Sequence, residues 1–214
     1  MSKSVAVFGI GRFGLSLALR LSELGTDVMV VDEDEEDIKR IADKVTYAIK
    51  ANLEDPEAIE ALGLEDVDTV VVAMGSDLKA SIMSVMIAKE KGVPFVMAKA
   101  SDERMGQILK KVGADRIIYP EEETGIRTAS VLASESFIDY FDLGDSLCVL
   151  EMKPKKEWIG KNLIELDLRG KFKLNIIAIK NSDGTKANID PNEKLSEDCV
   201  MFVAADKKDV KKIR

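Results

Sequence analysis

Between residues 4 and 138, short apolar runs alternate with longer segments in which apolar residues recur at helical spacing. This alternation predicts strands joined by helical crossovers, and therefore a parallel sheet covered by helices. The run TVVVAM is apolar at almost all of its positions, so both faces of the strand are apolar. This is expected of a strand that is buried on both faces. The pattern thus predicts an α/β fold with a Rossmann-like, doubly wound parallel sheet. The six predicted strands span 5–9, 28–32, 46–49, 69–74, 95–99 and 116–119.

The helical segments begin and end at residues that commonly cap helices. Glycine is frequent just past a helix, and Asp or Ser just before one, because these residues satisfy or relax the terminal backbone groups. Three helices are predicted on this basis: 12–24 before Gly25, 78–91 after Asp77, and 102–112 after Ser101.

A different pattern begins after residue 120. The segment 121–138 has its apolar residues spaced as in one long amphipathic helix, and no strand is expected directly behind it. Turn-forming residues follow in DLGDS, and then three strand-like runs are separated by loops that contain glycine. We expect a first domain over 1–138, with 121–143 as its crossover helix and linker, and a small α+β domain over 144–214.

Composition narrows the classes of function. A formal charge of −8 and a pI near 4.9 argue against a partner that is DNA or RNA. The chain has no histidine, which removes the most common general acid or base and a frequent zinc ligand. The two cysteines, Cys148 and Cys199, lie in strand-like runs and are expected in the core. Because no run approaches the roughly 18 apolar residues of a membrane helix, and no signal segment is recognisable, we expect a cytoplasmic protein.

The first predicted strand leads into a glycine motif. Gly9, Gly11 and Gly14 form G-x-G-x-x-G between a strand and a helix, the arrangement that binds the diphosphate of a nucleotide at a helix N-terminus. Asp32 ends the second strand, where an acidic residue accepts hydrogen bonds from ribose hydroxyls and disfavours a 2′-phosphate. Two alternatives stay open: a tight turn that holds no ligand, and an Asp32 that belongs only to the acidic run 32–37 on the surface.

Arg12 stands inside the glycine motif and opens the predicted helix. A guanidinium at this position provides a cation beside the phosphate site, where a terminal phosphate would bind it. The alternative is an ordinary surface arginine paired with a carboxylate.

Four segments of the chain resemble the RCK domain, the regulator of K⁺ conductance. They are GIGRFG, the strand that ends at Asp32, AMGSD after the fourth strand, and GADRIIYPEEETG before the predicted long helix. More narrowly, the chain is similar over nearly its whole length to KtrA/TrkA-type cytosolic subunits of bacterial potassium uptake systems. The resemblance implies dimers that assemble into a ring, usually an octamer, below a membrane K⁺ translocating subunit of the KtrB/TrkH type.

The resemblance also implies roles for individual residues of the first domain. The glycines with Phe13 would line the diphosphate, Arg12 would reach a terminal phosphate across a subunit boundary, and Asp32 would hold the ribose. Glu121 would also bind a divalent cation such as Mg²⁺. The remaining positions that the resemblance places beside the adenine, the backbone contacts and the phosphates are Asn52, Leu53, Ala73, Met74, Gly75, Lys99 and Glu121.

For the second domain, the resemblance implies binding of cyclic di-AMP at a dimer interface. This chain has Lys173 where a glycine is usual, and NSDG in place of a turn that contains histidine in several relatives. The residues similar to that site are Ile164, Leu168, Arg169, Asn175, Ile176 and Pro191.

Three functions follow as hypotheses. The first is a regulatory subunit that is not an enzyme, controlled by ATP and ADP and by cyclic di-AMP. The second is the same role with NAD or NADH as the signal. The third is an NAD-dependent oxidoreductase, which the absence of histidine and a second domain of roughly 70 residues disfavour.

Overall fold

A computed structural model describes residues 3–213 of the chain. Its first sheet has six parallel strands in the order β3-β2-β1-β4-β5-β6, so the strand order reverses between β1 and β4. This is the doubly wound arrangement that the sequence predicts, and the Rossmann-like fold is confirmed. The strands are β1 Ser4–Phe8, β2 Asp27–Asp32, β3 Tyr47–Lys50, β4 Thr69–Val72, β5 Phe95–Lys99 and β6 Arg116–Ile118.

Helices connect these strands and cover both faces of the sheet. Ala6 and Phe8 pack into one core cluster, whereas Val5 and Val7 pack into the other, because successive residues of a strand point to opposite faces. The helices are α1 Arg12–Glu23, α2 Glu35–Ile41, α3 Pro56–Glu60, α4 Leu78–Glu90 and α5 Glu103–Val112.

The helix caps agree with the sequence at one position and differ at another. The side chain of Asp77 accepts a hydrogen bond from the backbone N–H of Ala80, as predicted for the start of α4. At α5 the predicted cap, Ser101, is wrong. Asp102 has the extended backbone of a cap, and its carboxylate accepts a hydrogen bond from Met105 N at 2.9 Å.

A second sheet, antiparallel and five-stranded, follows in the order β10-β9-β11-β8-β7. It confirms the smaller α+β unit, in which short helices accompany the sheet. Its strands are β7 Phe137–Asp142, β8 Leu147–Met152, β9 Asn175–Asn181, β10 Gly184–Lys186 and β11 Val200–Asp206, and the helices of this part are α6 Pro120–Leu132, α7 Leu163–Leu166, α8 Leu168–Phe172 and α9 Lys207–Val210.

The predicted helix over 121–138 is wrong at its C-terminal end. Helix α6 ends at Leu132, and Phe137 begins β7, which pairs with β8 as an antiparallel hairpin. The run FIDYF is rich in aromatic and β-branched residues, which favour a strand when a partner strand follows closely. The expectation that no strand follows 121–138 therefore fails at β7.

The chain divides into two compact units, Met1–Glu121 and Glu122–Arg214. This division lies earlier than the expected boundary between 138 and 144. The core of the second unit is built around Leu150, Met201 and Trp158, and both cysteines are buried there as free thiols.

Candidate functional site

A cavity of about 670 Å³ opens at the carboxyl ends of the strands of the first unit. The segments that follow all six strands, β1 to β6, contribute to it, and it spans the point between β1 and β4 where the strand order reverses. Ligands of open α/β sheets bind at this switch point, because the loops there diverge to opposite faces. Every predicted site residue of the first unit except Gly14 lines the cavity: Gly9, Gly11, Arg12, Phe13, Asp32, Asn52, Leu53, Ala73, Met74, Gly75, Lys99 and Glu121.

The three glycines of the motif lack a side chain for three different structural reasons. Gly9 has φ +85°, a conformation that side chains disfavour, and a β-carbon there would collide with Cγ of Met74. A β-carbon on Gly14 would collide with the carbonyl oxygen of Gly9, so this residue allows α1 to pack against the turn. A β-carbon on Gly11 would meet nothing within 4 Å and would project into open space beside the cavity. Gly11 thus leaves room for a ligand rather than for protein atoms.

Helix α1 begins beside this cradle. Gly11 is its N-cap residue and offers no side-chain cap, so the N–H groups of the first turn and their partial positive charge remain available to an anion. Arg12 is exposed at this end, and within residues 3–213 its side chain makes neither a hydrogen bond nor an ion pair. Phe13 is half-buried and packs against the core behind the loop. The alternative interpretation pairs Arg12 with a surface carboxylate, and the described part of this chain contains no such pair.

Lys99 and Glu121, which both line the cavity, form an ion pair with Nζ and Oε1 2.6 Å apart. The Lys99 side chain is 14% exposed, whereas that of Glu121 is 71% exposed. The aliphatic stem of Lys99 lies against Gly75, where a β-carbon would be 2.8 Å from Cε. The hydrogen bond from Lys99 lowers the pKa of the Glu121 carboxyl. This pair places a nearly buried cation at the cavity wall.

The remaining wall is less charged. Asn52 is exposed and forms a local turn in which its Oδ1 accepts a hydrogen bond from Glu54 N at 2.9 Å. Leu53 and Ala73 are buried, and Met74 is half-buried against the core cluster that contains Leu53. An apolar wall with one amide suits a flat aromatic base.

Sequence reasoning missed six residues that also line the cavity. They are Glu33, Glu54, Ser76, Asp77, Ala80 and Ser101. Three of them, Glu33, Glu54 and Ser76, directly follow a predicted site residue, and this adjacency is the signal that could have found them.

Among the described residues that line the cavity, five are acidic and two are basic. The acidic ones are Asp32, Glu33, Glu54, Asp77 and Glu121, and the basic ones are Arg12 and Lys99. Across residues 3–213, no three Cys, Asp or Glu side chains are grouped so that they could hold a metal ion by themselves. The residues fit a nucleotide, since Gly11 leaves space that a β-carbon would fill and the lining contains two cations, Arg12 and Lys99.

The predicted residues of the second unit lie on different parts of its surface and core. Ile164, Arg169, Asn175 and Pro191 are exposed, and Ile176 is half-buried. Leu168 is 3% exposed, so its side chain packs in the core of the second unit and does not lie on the surface. The backbone N–H of Leu163 donates to the carbonyl of Pro191 at 3.1 Å, which connects the Pro191 loop to α7.

A family model described as the TrkA-N domain matches residues 5–120, and one described as the TrkA-C domain matches residues 149–214. The chain belongs to the TrkA-N/TrkA-C family. The TrkA-N match contains the whole glycine motif and all but one of the cavity residues, since Glu121 follows its last position.

Curated relatives match over most of the chain. Ktr system potassium uptake protein A of Bacillus subtilis (strain 168) is 32% identical over 211 residues, 99% of this chain and 95% of that protein. Ktr system potassium uptake protein C of the same organism is 34% identical over 98% of this chain and 95% of that protein. Protein A of Vibrio alginolyticus is 40% identical over 166 residues, 78% of this chain and 76% of that protein.

Solved structures share the fold. The crystal structure of the GsuK RCK domain has a TM-score of 0.69 at 15% identity and covers 100% of this chain and 47% of that one. The GsuK channel bound to NAD has a TM-score of 0.67 at 14% identity, covering 98% of this chain and 38% of that one. This chain spans less than half the length of both, and the likeness concerns the fold alone. In the part of the chain that the structure describes, no helix is long and apolar enough to cross a membrane.

Proposed function

We propose that this protein is the cytoplasmic regulatory subunit of a K⁺ transporter, and that ATP and ADP control it through the cavity of the first unit. The relatives named as Ktr potassium uptake proteins, aligned over nearly the full length, support the transport role. The observation that carries the nucleotide role is the glycine cradle at the N-terminus of α1, beside the exposed Arg12, whose side chain has no partner within residues 3–213.

The same residues suggest how two nucleotides are distinguished. A ligand shifts a conformational equilibrium only by its difference in affinity for the two states. ATP and ADP differ by one phosphate, and Arg12 is the exposed cation that can respond to it. If Arg12 of one subunit contacts the third phosphate in its neighbour's cavity, ATP stabilises one arrangement of the ring and ADP does not. The acidic lining is then balanced by a divalent cation such as Mg²⁺, with Glu121 as its ligand.

The assembly belongs to the same proposal. Dimers of this chain form a ring, an octamer in the arrangement expected for the family, and the ring docks below a membrane K⁺ translocating subunit of the KtrB/TrkH type. In this role the protein is not an enzyme, and the free energy of nucleotide binding changes the conformation of the ring. Light scattering after size exclusion, with ATP and with ADP, measures the mass of the ring.

Calorimetric titration of ATP and ADP with and without Mg²⁺ tests the nucleotide role. Arg12→Ala is expected to lose roughly tenfold in affinity for ATP and little for ADP, because one charge-assisted hydrogen bond is removed. Arg20→Ala is the matched control, since Arg20 lies on the same helix but pairs with Glu23 on the surface. An unchanged ATP preference in Arg12→Ala contradicts the role given to Arg12.

A second candidate signal is NAD or NADH. The acidic excess of the cavity lining favours it, because a dinucleotide carries fewer phosphate charges than ATP. Competition of ATP against NADH on the same protein separates the candidates, and tighter binding of NADH would replace ATP/ADP as the signal. Oxidation of NADH by a ketone or keto acid, or reduction of NAD by a hydroxy acid, would support the oxidoreductase instead.

We also propose cyclic di-AMP as a second ligand, at an interface between two copies of the second unit. The exposed Arg169, Asn175 and Ile164 support this, since they offer a cation, an amide and an apolar contact on the surface. Leu168, Ile176 and Pro191 complete the proposed set.

A further inference from the structure

A second cavity lies within the second unit and shares no lining residue with the first. Its volume is about 640 Å³, close to that of the first cavity. Its wall comes from the turn 133–136 between α6 and β7, from the segment 153–159 that follows β8, and from residues 197 and 213. A cavity of this size can enclose a small molecule, since ligand sites commonly measure about 300 to 1,000 Å³.

Three lysines of the segment after β8 line this cavity: Lys153, Lys155 and Lys156. Within residues 3–213, their ammonium groups make neither a hydrogen bond nor an ion pair. Lys155 is half-buried, and its Nζ lies 6.0 Å from the centre of the Trp158 ring. A half-buried ammonium group is stabilised by an anionic partner, because burial has already removed part of its hydration. These three cations are therefore available to an anion in the cavity.

The turn between α6 and β7 adds two hydroxyl groups to the wall. Ser134 and Ser136 are half-buried and line the cavity, with their Oγ atoms 3.1 Å apart. One hydroxyl donates to the other, so the second keeps its own O–H group for a ligand. The backbone N–H of Lys153 donates to the Ser136 carbonyl at 2.8 Å, which connects this turn to the lysine segment. Ammonium and hydroxyl donors around one cavity are groups that bind a compact oxyanion.

Three glutamates line the same cavity and limit the charge of its ligand. They are exposed, and within the described residues none of them forms an ion pair with a cavity lysine: Glu135, Glu157 and Glu197. These carboxylates would repel a ligand with several phosphates more strongly than a ligand with one. The cavity is also lined by Ile159 and Ile213, which suit the uncharged part of a small molecule.

We propose that this cavity binds a small molecule with one phosphate group, and that Lys153, Lys155 and Lys156 hold the phosphate. The inference does not depend on the nucleotide function, since the two cavities share no lining residue. Inorganic phosphate and a phosphorylated metabolite present the same chemistry to the lysines, and the experiment separates these two sources.

The experiment titrates the full chain with sodium phosphate and, at equal ionic strength, with sodium chloride. Trp158 is the single tryptophan and lies beside Lys155, so its fluorescence reports binding at this cavity. A saturable change is expected with phosphate and none with chloride. Glucose 6-phosphate is the second probe. Tighter binding than that of inorganic phosphate supports a phosphorylated metabolite, whereas equal or weaker binding supports the free ion.

Lys155→Gln is expected to weaken phosphate binding roughly tenfold, because a charge-assisted hydrogen bond is lost. Lys161→Gln is the matched control, since Lys161 is exposed and its backbone N–H donates to the Trp158 carbonyl at 3.2 Å, but it does not line the cavity. This control is expected to bind phosphate within about twofold of the unmodified chain. Equilibrium dialysis measures the affinities without relying on Trp158, whose emission Lys155→Gln itself changes.

A double variant with Lys153→Gln and Lys156→Gln is the second test, because both side chains are exposed and their replacement leaves the core intact. It is also expected to weaken phosphate roughly tenfold or more. The inference is overturned if phosphate gives no saturable change in Trp158, or if both variants bind phosphate as tightly as Lys161→Gln does. Phosphate at the glycine cradle would remain bound in every one of these variants, so it is distinguished from phosphate in this cavity. The proposed nucleotide function stands in either case.

Discussion

The two units of this chain present their candidate sites in different ways. In the first unit, residues from six strand ends converge on one cavity, and the unit is strongly acidic, with 22 acidic and 15 basic residues. In the second, with 17 acidic and 16 basic residues, the candidate residues are spread over an exposed surface and one of them is in the core. A site that one chain completes is visible in its fold. A site that two copies complete is visible only as separate exposed side chains.

The largest expected effect separates folding from binding within the first unit. Gly14→Ala is expected to destabilise the protein by roughly 3 kcal/mol, because its methyl group would collide with the Gly9 carbonyl, which belongs to the backbone. Gly11→Ala is the matched control, since nothing lies within 4 Å of its added methyl group. It is expected to keep its stability within about 0.5 kcal/mol and to lose nucleotide binding. Thermal unfolding and ADP titration measure the two quantities, and equal stability of both variants would contradict the packing argument.

In the second unit the comparison predicts that binding depends on a partner copy. Arg169→Ala is expected to weaken cyclic di-AMP roughly tenfold, because the exposed guanidinium is the proposed phosphate contact. Lys171→Ala, two residues away and also exposed, is the control for nearby charge. Calorimetric stoichiometry of one ligand per two chains is expected. One ligand per chain, or equal affinity in Arg169→Ala, would show that this unit completes its site alone or elsewhere.

The sequence predicted the first unit better than the second for a physical reason. Parallel strands buried on both faces and a glycine turn are determined by local residues, so the six strands and the glycine turn could be predicted from the pattern. Most of the other cavity residues were implied only by the resemblance to the RCK domain. β7 could not, because a helical spacing over 121–138 and a strand-forming FIDYF overlap, and pairing with β8 decides between them. Glu33 was interpreted as surface charge, since only the three-dimensional structure reveals which acids of the run line the cavity.

An ion pair in the second unit provides a prediction about its stability. Arg127 of α6 forms a bidentate pair with Asp139 of β7, with Nε 2.6 Å from Oδ1, and its guanidinium lies 4.6 Å from the centre of the Phe141 ring. A double-mutant cycle with Arg127→Gln and Asp139→Asn is expected to give a small but measurable favourable coupling. Lys208→Met is the control, since Lys208 is highly exposed and 3.8 Å from its partner carboxylate. A coupling near zero would show that other contacts hold α6 to β7.

The same pair predicts a dependence on pH. The hydrogen bond from Arg127 lowers the pKa of the Asp139 carboxyl. The contribution of this pair to the free energy of unfolding is therefore complete above the ordinary carboxyl pKa of about 4. It is lost as the pH falls through the lower, folded-state pKa. The coupling measured at pH 7 is therefore expected to shrink in urea titrations at about pH 3. Fluorescence of Trp158, the single tryptophan and buried in the second unit, reports unfolding there.

The smallest expected effect concerns Lys173, which has φ +61° where the resemblance to the family leads us to expect glycine. A residue with a β-carbon is destabilised by roughly 1 to 2 kcal/mol in this left-handed conformation. Glycine avoids that strain but loses more backbone entropy on folding, which offsets part of the gain. Lys173 Nζ also donates to the Gly170 carbonyl at 3.0 Å, a bond that glycine loses. Lys173→Gly is thus expected to stabilise the second unit by about 0.5 kcal/mol. Lys173→Ala keeps the β-carbon and loses the bond, so Trp158 fluorescence in urea should show it slightly destabilised. Equal stability of the two variants would contradict this prediction. It would show that the left-handed conformation at position 173 does not destabilise the second unit.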